Sequence, residues 1–272
     1  RNEHCLPQFK LEIWNGLIFV HISGTAESLA ERYAGMQRYF NRFGIGDYKN
    51  GFGGEYEYWD SNWKLIMENA MESYHLFKVH KPTLETVTPT KGALYLEGHG
   101  DWSITIGENV PVSEYMGGGM TGNLAEKIVN GLSSKRDKAI ADHYMLVSLP
   151  PNFVGIATAD SFGYLSVLPD GAGKSRVRAG GITKGVFNPS KGEAKFVEDF
   201  FAEDKFICER AQKAMRTRFN KAGKLVELER IIVDFRQYIG KRLFDNTPLP
   251  LYKAPEADAF VNCELENKLA ER

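Results

Sequence analysis

The residues best suited to chemistry crowd into one stretch, "NWKLIMENAMESYHLFKVHKP" (62–82), where His75 and His80 follow Glu68, Asn69 and Glu72. Two imidazoles this close suggest a metal site, and their spacing limits its geometry. On an unbroken α-helix, residues five apart point roughly 140° away from each other. The pair can share a metal only if the helix ends between them. Pro82 disfavours helical geometry at Lys81, so the helix is expected to unwind there and let His80 fold back. The spacing is not that of HExxH zinc proteases, whose histidines stand four apart on one helical face. Two imidazoles with a more distant carboxylate would form a 2-His-1-carboxylate facial triad, which leaves positions open on Fe(II) for O₂ and substrate. Spacing alone also allows a helix-end histidine and a loop histidine that bind nothing.

The elements that must position these residues follow from periodicity. "LEIWNGLIFVHIS" (11–23) alternates apolar and polar residues around Asn15-Gly16 and reads as a tight β-hairpin. "TAESLAERYAGMQRYF" (25–40) has helical spacing, with Thr25 as its cap. The glycine-rich "GIGDYKNGFGG" breaks the pattern, and "EYEYW" (55–59) resumes a strand. From Ala93 the signals are mostly β, in five segments separated by Pro, Gly and Asp turns. A helical piece at 123–143 follows a "GGGM" segment and interrupts the strands, and two long helices at 191–219 and 226–244 close the pattern. Strand pairs followed by long helices indicate an α+β layer fold, helices on one antiparallel sheet. No internal repeat or persuasive linker divides the chain, so residues 1–272 are read as one domain.

Bulk properties exclude several classes. The 272 residues carry 34 basic and 35 acidic side chains, a net charge of −1, which gives no electrostatic case for nucleic acid or an anionic membrane surface. No apolar run approaches the roughly 20 residues that a membrane helix needs. Cys5, Cys208 and Cys263 are scattered and odd in number, which argues against a disulfide framework and suits a reducing cytoplasm. Without a CxxC pair, no zinc ribbon or four-cysteine cluster can be built.

Beyond spacing, "NWKLIMENAMESYHLFKVH" resembles the iron-binding segment of Rieske-type non-haem iron ring-hydroxylating oxygenases, in their large α subunit. That pattern runs N-W-K-x₃-[DE]-N-x₂-[DE]-x-Y-H-x₄-H, and Asn62, Trp63, Lys64, Glu68, Asn69, Glu72, Tyr74, His75 and His80 all match it. Similarity extends to "GLIFVHI", "LPPNFVGI" and the helix near residue 204. The resemblance implies a helix-grip (START-like) fold, its antiparallel sheet wrapped around a long C-terminal helix. It implies Fe(2+) held by His75, His80 and an aspartate in "AEDKFICERAQ", for which Asp204 is the match; Glu209 and Gln212 follow it in the pattern. Glu198, Asp199 and Glu203 are read as a solvated helix face.

Glu72, three residues before His75, is expected on the same helical face as an acceptor for its ring N–H. By resemblance it also bridges that histidine to a cluster histidine of a neighbouring subunit, and the edge near Glu72 and Lys78 is expected to be the exposed docking surface. Asn69 matches an amide close to the iron, and Tyr74 is read as an aromatic of the core or the site's surroundings.

The family's cluster motifs, C-x-H and C-x₂-H, are missing, and "EHC" at 3–5 has the wrong order. The chain is therefore expected to be a catalytic domain, with residues 1–24 leading in from an absent Rieske [2Fe-2S] domain. The implied activity is insertion of oxygen from O₂ into a small organic, typically aromatic, substrate, with electrons from a ferredoxin or flavin reductase, in a homotrimer when complete. Two alternatives stand beside it: an amine or quaternary-ammonium monooxygenase of the same family, and a metal-free helix-grip module that binds hydrophobic ligands. A carrier has no reason to bring His75, His80 and Asp204 together.

Overall fold

The computed structural model of the chain describes residues 6–110, 140, 142–186, 188–189, 191–221, 223–244 and 252–262. Strands β1 (Lys10–Trp14) and β2 (Leu17–His21) form the expected hairpin, and both turn residues take positive φ, 47° at Asn15 and 79° at Gly16. Such angles match the right-handed twist of paired strands, which is why Asn-Gly turns so tightly. The following helix starts later than expected. Ser28, not Thr25, caps α1 (Leu29–Arg32), because Glu31 lies three residues on and completes a capping box. Thr25 bonds Ser23 instead. Helix α2 (Ala34–Phe43) ends at Gly44 in the left-handed conformation.

The glycine-rich stretch holds a strand that periodicity does not reveal, β3 (Asn50–Gly53), before β4 (Glu57–Trp59). Both pair with β10. The main sheet continues through β5 (Leu94–Gly98), β6 (Ser103–Glu108), β7 (His143–Leu149), β8 (Phe153–Ala157), β9 (Ser161–Pro169) and β10 (Ser175–Thr183). All pairings are antiparallel, in the order β3-β10-β9-β8-β7-β6-β5, with β4 also on β10. The helix expected at 123–143 falls almost wholly outside the described residues, and its last residue, His143, starts β7.

Apolar side chains are buried on both faces of this sheet, which is why β5 to β7 read as continuous rather than alternating. Met145, Val147 and Ile104 pack with Trp14, Phe40 and Phe260 from the hairpin, α2 and α8 (Glu256–Val261). Tyr144, Leu146 and Tyr95 pack on the opposite face with Ile66 and Met67 of α3 (Trp63–Ala70), Cys208 of α6 (Lys191–Met215) and Phe235 of α7 (Arg230–Phe244). Asp234 pins α7 to the sheet by accepting from Tyr95 Oη (2.5 Å) and Ser103 Oγ (2.9 Å). Burial pushes its carboxyl pKa up against those bonds. The result is the helix-grip α+β arrangement that the resemblance implies. No helix among the described residues is long and apolar enough to cross a membrane.

Candidate metal centre

Helix α3 starts where its sequence says it should. Asn62 is the N-cap and accepts from Lys64 N (3.0 Å), and Trp63 meets Phe235 edge-on at 5.9 Å. Glu209 and Gln212 of α6 accept the backbone N–H groups of Asp60 (3.0 Å) and Asn62 (2.8 Å). These pattern residues thus lock α6 onto the start of α3, and that docking sets Asp204 against the histidines.

Two helix ends flank the histidines: one at His80 just before Pro82, as expected, and one upstream at Met71. Helix α3 ends at Met71, and a one-turn helix, α4 (Leu76–Val79), carries His75 at its N-cap and His80 at its C-cap. Glu72 explains the upstream one. Its Oε2 accepts from the backbone N of Tyr74 and of His75 (3.1 Å), satisfying donors at the start of α4. Its Oε1 accepts from His75 Nδ1 at 2.5 Å. Glu72 and His75 therefore meet across a turn rather than along one helical face. Thr83 begins α5 (Leu84–Val87) just beyond Pro82.

The rings of His75 and His80 lie 5.0 Å apart, and Asp204 Oδ1 stands 2.9 Å from His80 Nε2 and 3.6 Å from His75 Nε2. One ligand atom from each residue can be chosen so that all three lie within 4.8 Å of one another. Asn69 Nδ2 donates to Asp204 Oδ1 at 2.6 Å. His75 Nε2 is buried without a hydrogen-bond partner. A buried ring nitrogen left unpaired beside a second imidazole and a carboxylate suits a cation, since a metal would satisfy all three.

Electrostatics agree. Burial opposes charge on His75, yet Asp204 and Glu72 outweigh it and raise its pKa to about 9. Burial likewise opposes charge on Asp204, and the two histidines overcome it and hold its carboxyl well below the usual range. The metal-free cluster thus keeps a proton on His75 at neutral pH, which a binding metal would expel.

Glu203 is not part of a solvated face. Its Oε2 accepts from His80 Nδ1 (2.8 Å) and from Thr83 Oγ1 (2.6 Å). Neighbouring helical residues point about 100° apart, so Glu203 and Asp204 grip opposite edges of one imidazole. No sequence signal separates Glu203 from Glu198 or Asp199; only the approach of His80, 123 residues earlier, singles it out. Changing Glu203 to Gln is expected to lower metal affinity by about 10- to 100-fold, the usual cost of losing such a partner. Metal titration measures this, and unchanged affinity would count against the role.

Two further expectations are corrected. Tyr74 is exposed (38%) and pairs with Phe77, because the break at Met71 turns it outward. Glu72 is buried (6%), so it does not itself form an exposed edge, whereas Lys78 does.

A 380 Å³ cavity adjoins the cluster, walled by Leu76, Leu84, Val154, Ile156, Phe200 and Phe201, and no Lys or Arg among the described residues lines it. A second recess of 180 Å³, bounded by Glu68, Asn69, Ile207 and Cys208, reaches Glu72 from another side.

A family model, the ring hydroxylating alpha subunit (catalytic domain), matches residues 47–244. The chain belongs to this family of oxygenase catalytic domains, which use a mononuclear Fe(II), and His75, His80 and Asp204 are the candidate site for it. Among solved structures, the quaternary ammonium Rieske monooxygenase CntA with the inhibitor MMV12 is 17% identical, with a TM-score of 0.61 over 86% of this chain and 61% of its own. Naphthalene 1,2-dioxygenase with indole bound is 12% identical, with a TM-score of 0.61 over 96% of this chain and 68% of its own. These likenesses concern the fold, and the chain spans about three fifths of the CntA chain. Comparison with curated proteins found no match.

Proposed function

We propose that this chain is the catalytic part of an oxygenase that inserts oxygen into a small, neutral, apolar substrate. The observation that carries this reading is the adjacency of the His75–His80–Asp204 cluster to an apolar cavity that no Lys or Arg among the described residues lines. Fe(II) held there would supply open positions for O₂ beside the substrate. The chain's own residues do the rest. Leu76, Phe200 and Phe201 hold the substrate and exclude water, Glu203 and Glu72 fix the two imidazoles, and Asn69 orients the Asp204 carboxylate. A substrate carboxylate would find no Lys or Arg partner among the described residues of this cavity, and burying an unpaired charge is costly. A quaternary ammonium would want ring faces turned to one point, whereas Phe200 and Phe201 stack on each other at 4.7 Å. This favours a neutral substrate over an amine.

Monohydroxylation consumes O₂, two electrons and two protons and yields one alcohol and water. The electrons would come from a reductase through a ferredoxin and a Rieske [2Fe-2S] cluster. Glu72 lies between the substrate cavity and the 180 Å³ recess, which suits it to couple a cluster docked outside to His75. Exposed Tyr74, Phe77 and Lys78 follow Glu72 closely in the chain and would meet the neighbouring subunit. On this reading the complete protein is a trimer and these 272 residues alone form a weakened trimer or a monomer; light scattering on both checks it, and a monomeric complete enzyme that turns over would refute it.

The decisive experiment supplies the iron-loaded complete enzyme with reductase, ferredoxin, naphthalene and ¹⁸O₂. Hydroxylated product carrying ¹⁸O is expected. Tight arene binding with no metal uptake and no product would favour a hydrophobic-ligand carrier.

A further inference from the structure

We infer that Phe52 sets the size of substrate the cavity accepts, resting on the apolar-substrate reading above. The register puts Ile156 of β8, Gly163 of β9, Gly181 of β10 and Phe52 of β3 in one row across four strands. Directly opposed residues point to the same face of a sheet, so this row would bear four side chains toward the cavity. Its two middle positions are glycine. From Ile156 to Phe52 the row spans about 14 Å at roughly 4.8 Å per strand.

The two glycines differ in what covers them. A Cβ at Gly181 would lie 2.8 Å from Phe52 Cζ, 2.9 Å from Gly163 Cα and 2.5 Å from Phe162 O. The Phe52 ring therefore lies back over Gly181, and any side chain there would expel it. A Cβ at Gly163 would meet only Ile156 Cγ2 at 3.5 Å and Gly180 O at 3.9 Å, ordinary contacts with open space beyond. Phe52, Gly163 and Ile156 all line the cavity, while Gly181, beneath the ring, does not.

Bare backbone at Gly163 thus makes a flat floor, with Phe52 as the wall on one side and Ile156 on the other. The metal-site residues come from the α3–α4 region and α6, so this wall can change without touching them. Among the described residues strand β3 is an edge strand paired with β10. Gly181 is the positioning residue for that ring, and Phe52 reads substrate size.

The test is equilibrium binding of benzene, naphthalene and phenanthrene to the complete, iron-loaded protein, followed by quenching of intrinsic fluorescence, with no turnover. Phe52→Ala is expected to raise affinity for phenanthrene relative to benzene at least tenfold. Gly163→Ala, whose new methyl meets only ordinary contacts, is expected to lower affinity for phenanthrene at least fivefold and leave benzene unchanged. If both variants keep the wild-type size order, Phe52 has no such role. A wild-type protein that binds none of the three overturns the apolar-substrate reading, and Phe52's role with it.

Discussion

Asp204→Ala is expected to reduce iron retention more than about 100-fold, beyond the 10- to 100-fold that follows loss of an outer partner. The change removes the only carboxylate within reach of both histidine Nε2 atoms among the described residues, and it leaves Asn69 Nδ2 without its acceptor. Two neutral imidazoles alone bind a hard cation such as Fe(II) weakly, because the carboxylate supplies both charge and the third position. The measurement is iron per chain after anaerobic loading and dialysis. Asp199→Ala, the same charge change one and a half turns earlier on α6, serves as the control and should retain its iron. An Asp204→Ala protein that still held one iron per chain would remove Asp204 from the site.

The second large effect is expected at Glu72. Glu72→Gln keeps an oxygen to accept from the backbone N–H groups of Tyr74 and His75, so α4 and its two histidines should stay in place. It removes the negative charge beside His75 Nδ1 and interrupts the link between His75 and the outer recess. If the complete enzyme carries the proposed cluster, iron content at saturating Fe(II) should hold near the wild-type level, since no ligand is lost, while oxidation of the reduced cluster during a single turnover slows by about 100-fold. That estimate is the upper end of what loss of a partner beside a metal histidine costs. Loss of iron with normal cluster oxidation would assign Glu72 to metal retention instead.

Much of the architecture was legible along the chain because its causes are local. Asn15-Gly16 has to turn where both residues can take positive φ, and the long apolar stripes at 191–219 and 226–244 allow little but helix. The histidines and Asp204 were legible only through resemblance, since two imidazoles five apart allow a metal site without requiring one. Other features depend on partners distant in sequence. Strand β3 is hidden in a glycine-rich run because what makes it a strand is the ladder with β10, about 130 residues later. Pro82 marks the helix end at His80 but not the earlier one: the chain also leaves the helix at Met71, where the Glu72 carboxylate accepts backbone N–H groups of the next turn.

The same division runs through the site. Residue types and their order set which groups can bind a cation, because ligand chemistry belongs to the side chain itself. Which acid serves as ligand and which as support is decided by packing. On α6, Glu203 and Asp204 are neighbours with similar chemistry, and the docking of Glu209 and Gln212 against the start of α3 turns Asp204 toward both histidines and Glu203 toward the back of His80. Cavity shape is likewise a tertiary property: Gly163 becomes bare floor and Gly181 a seat for the Phe52 ring only when the β9–β10–β3 register sets them side by side. Periodicity reports which face a residue takes within its own element, and only the contacts between elements define what that face meets.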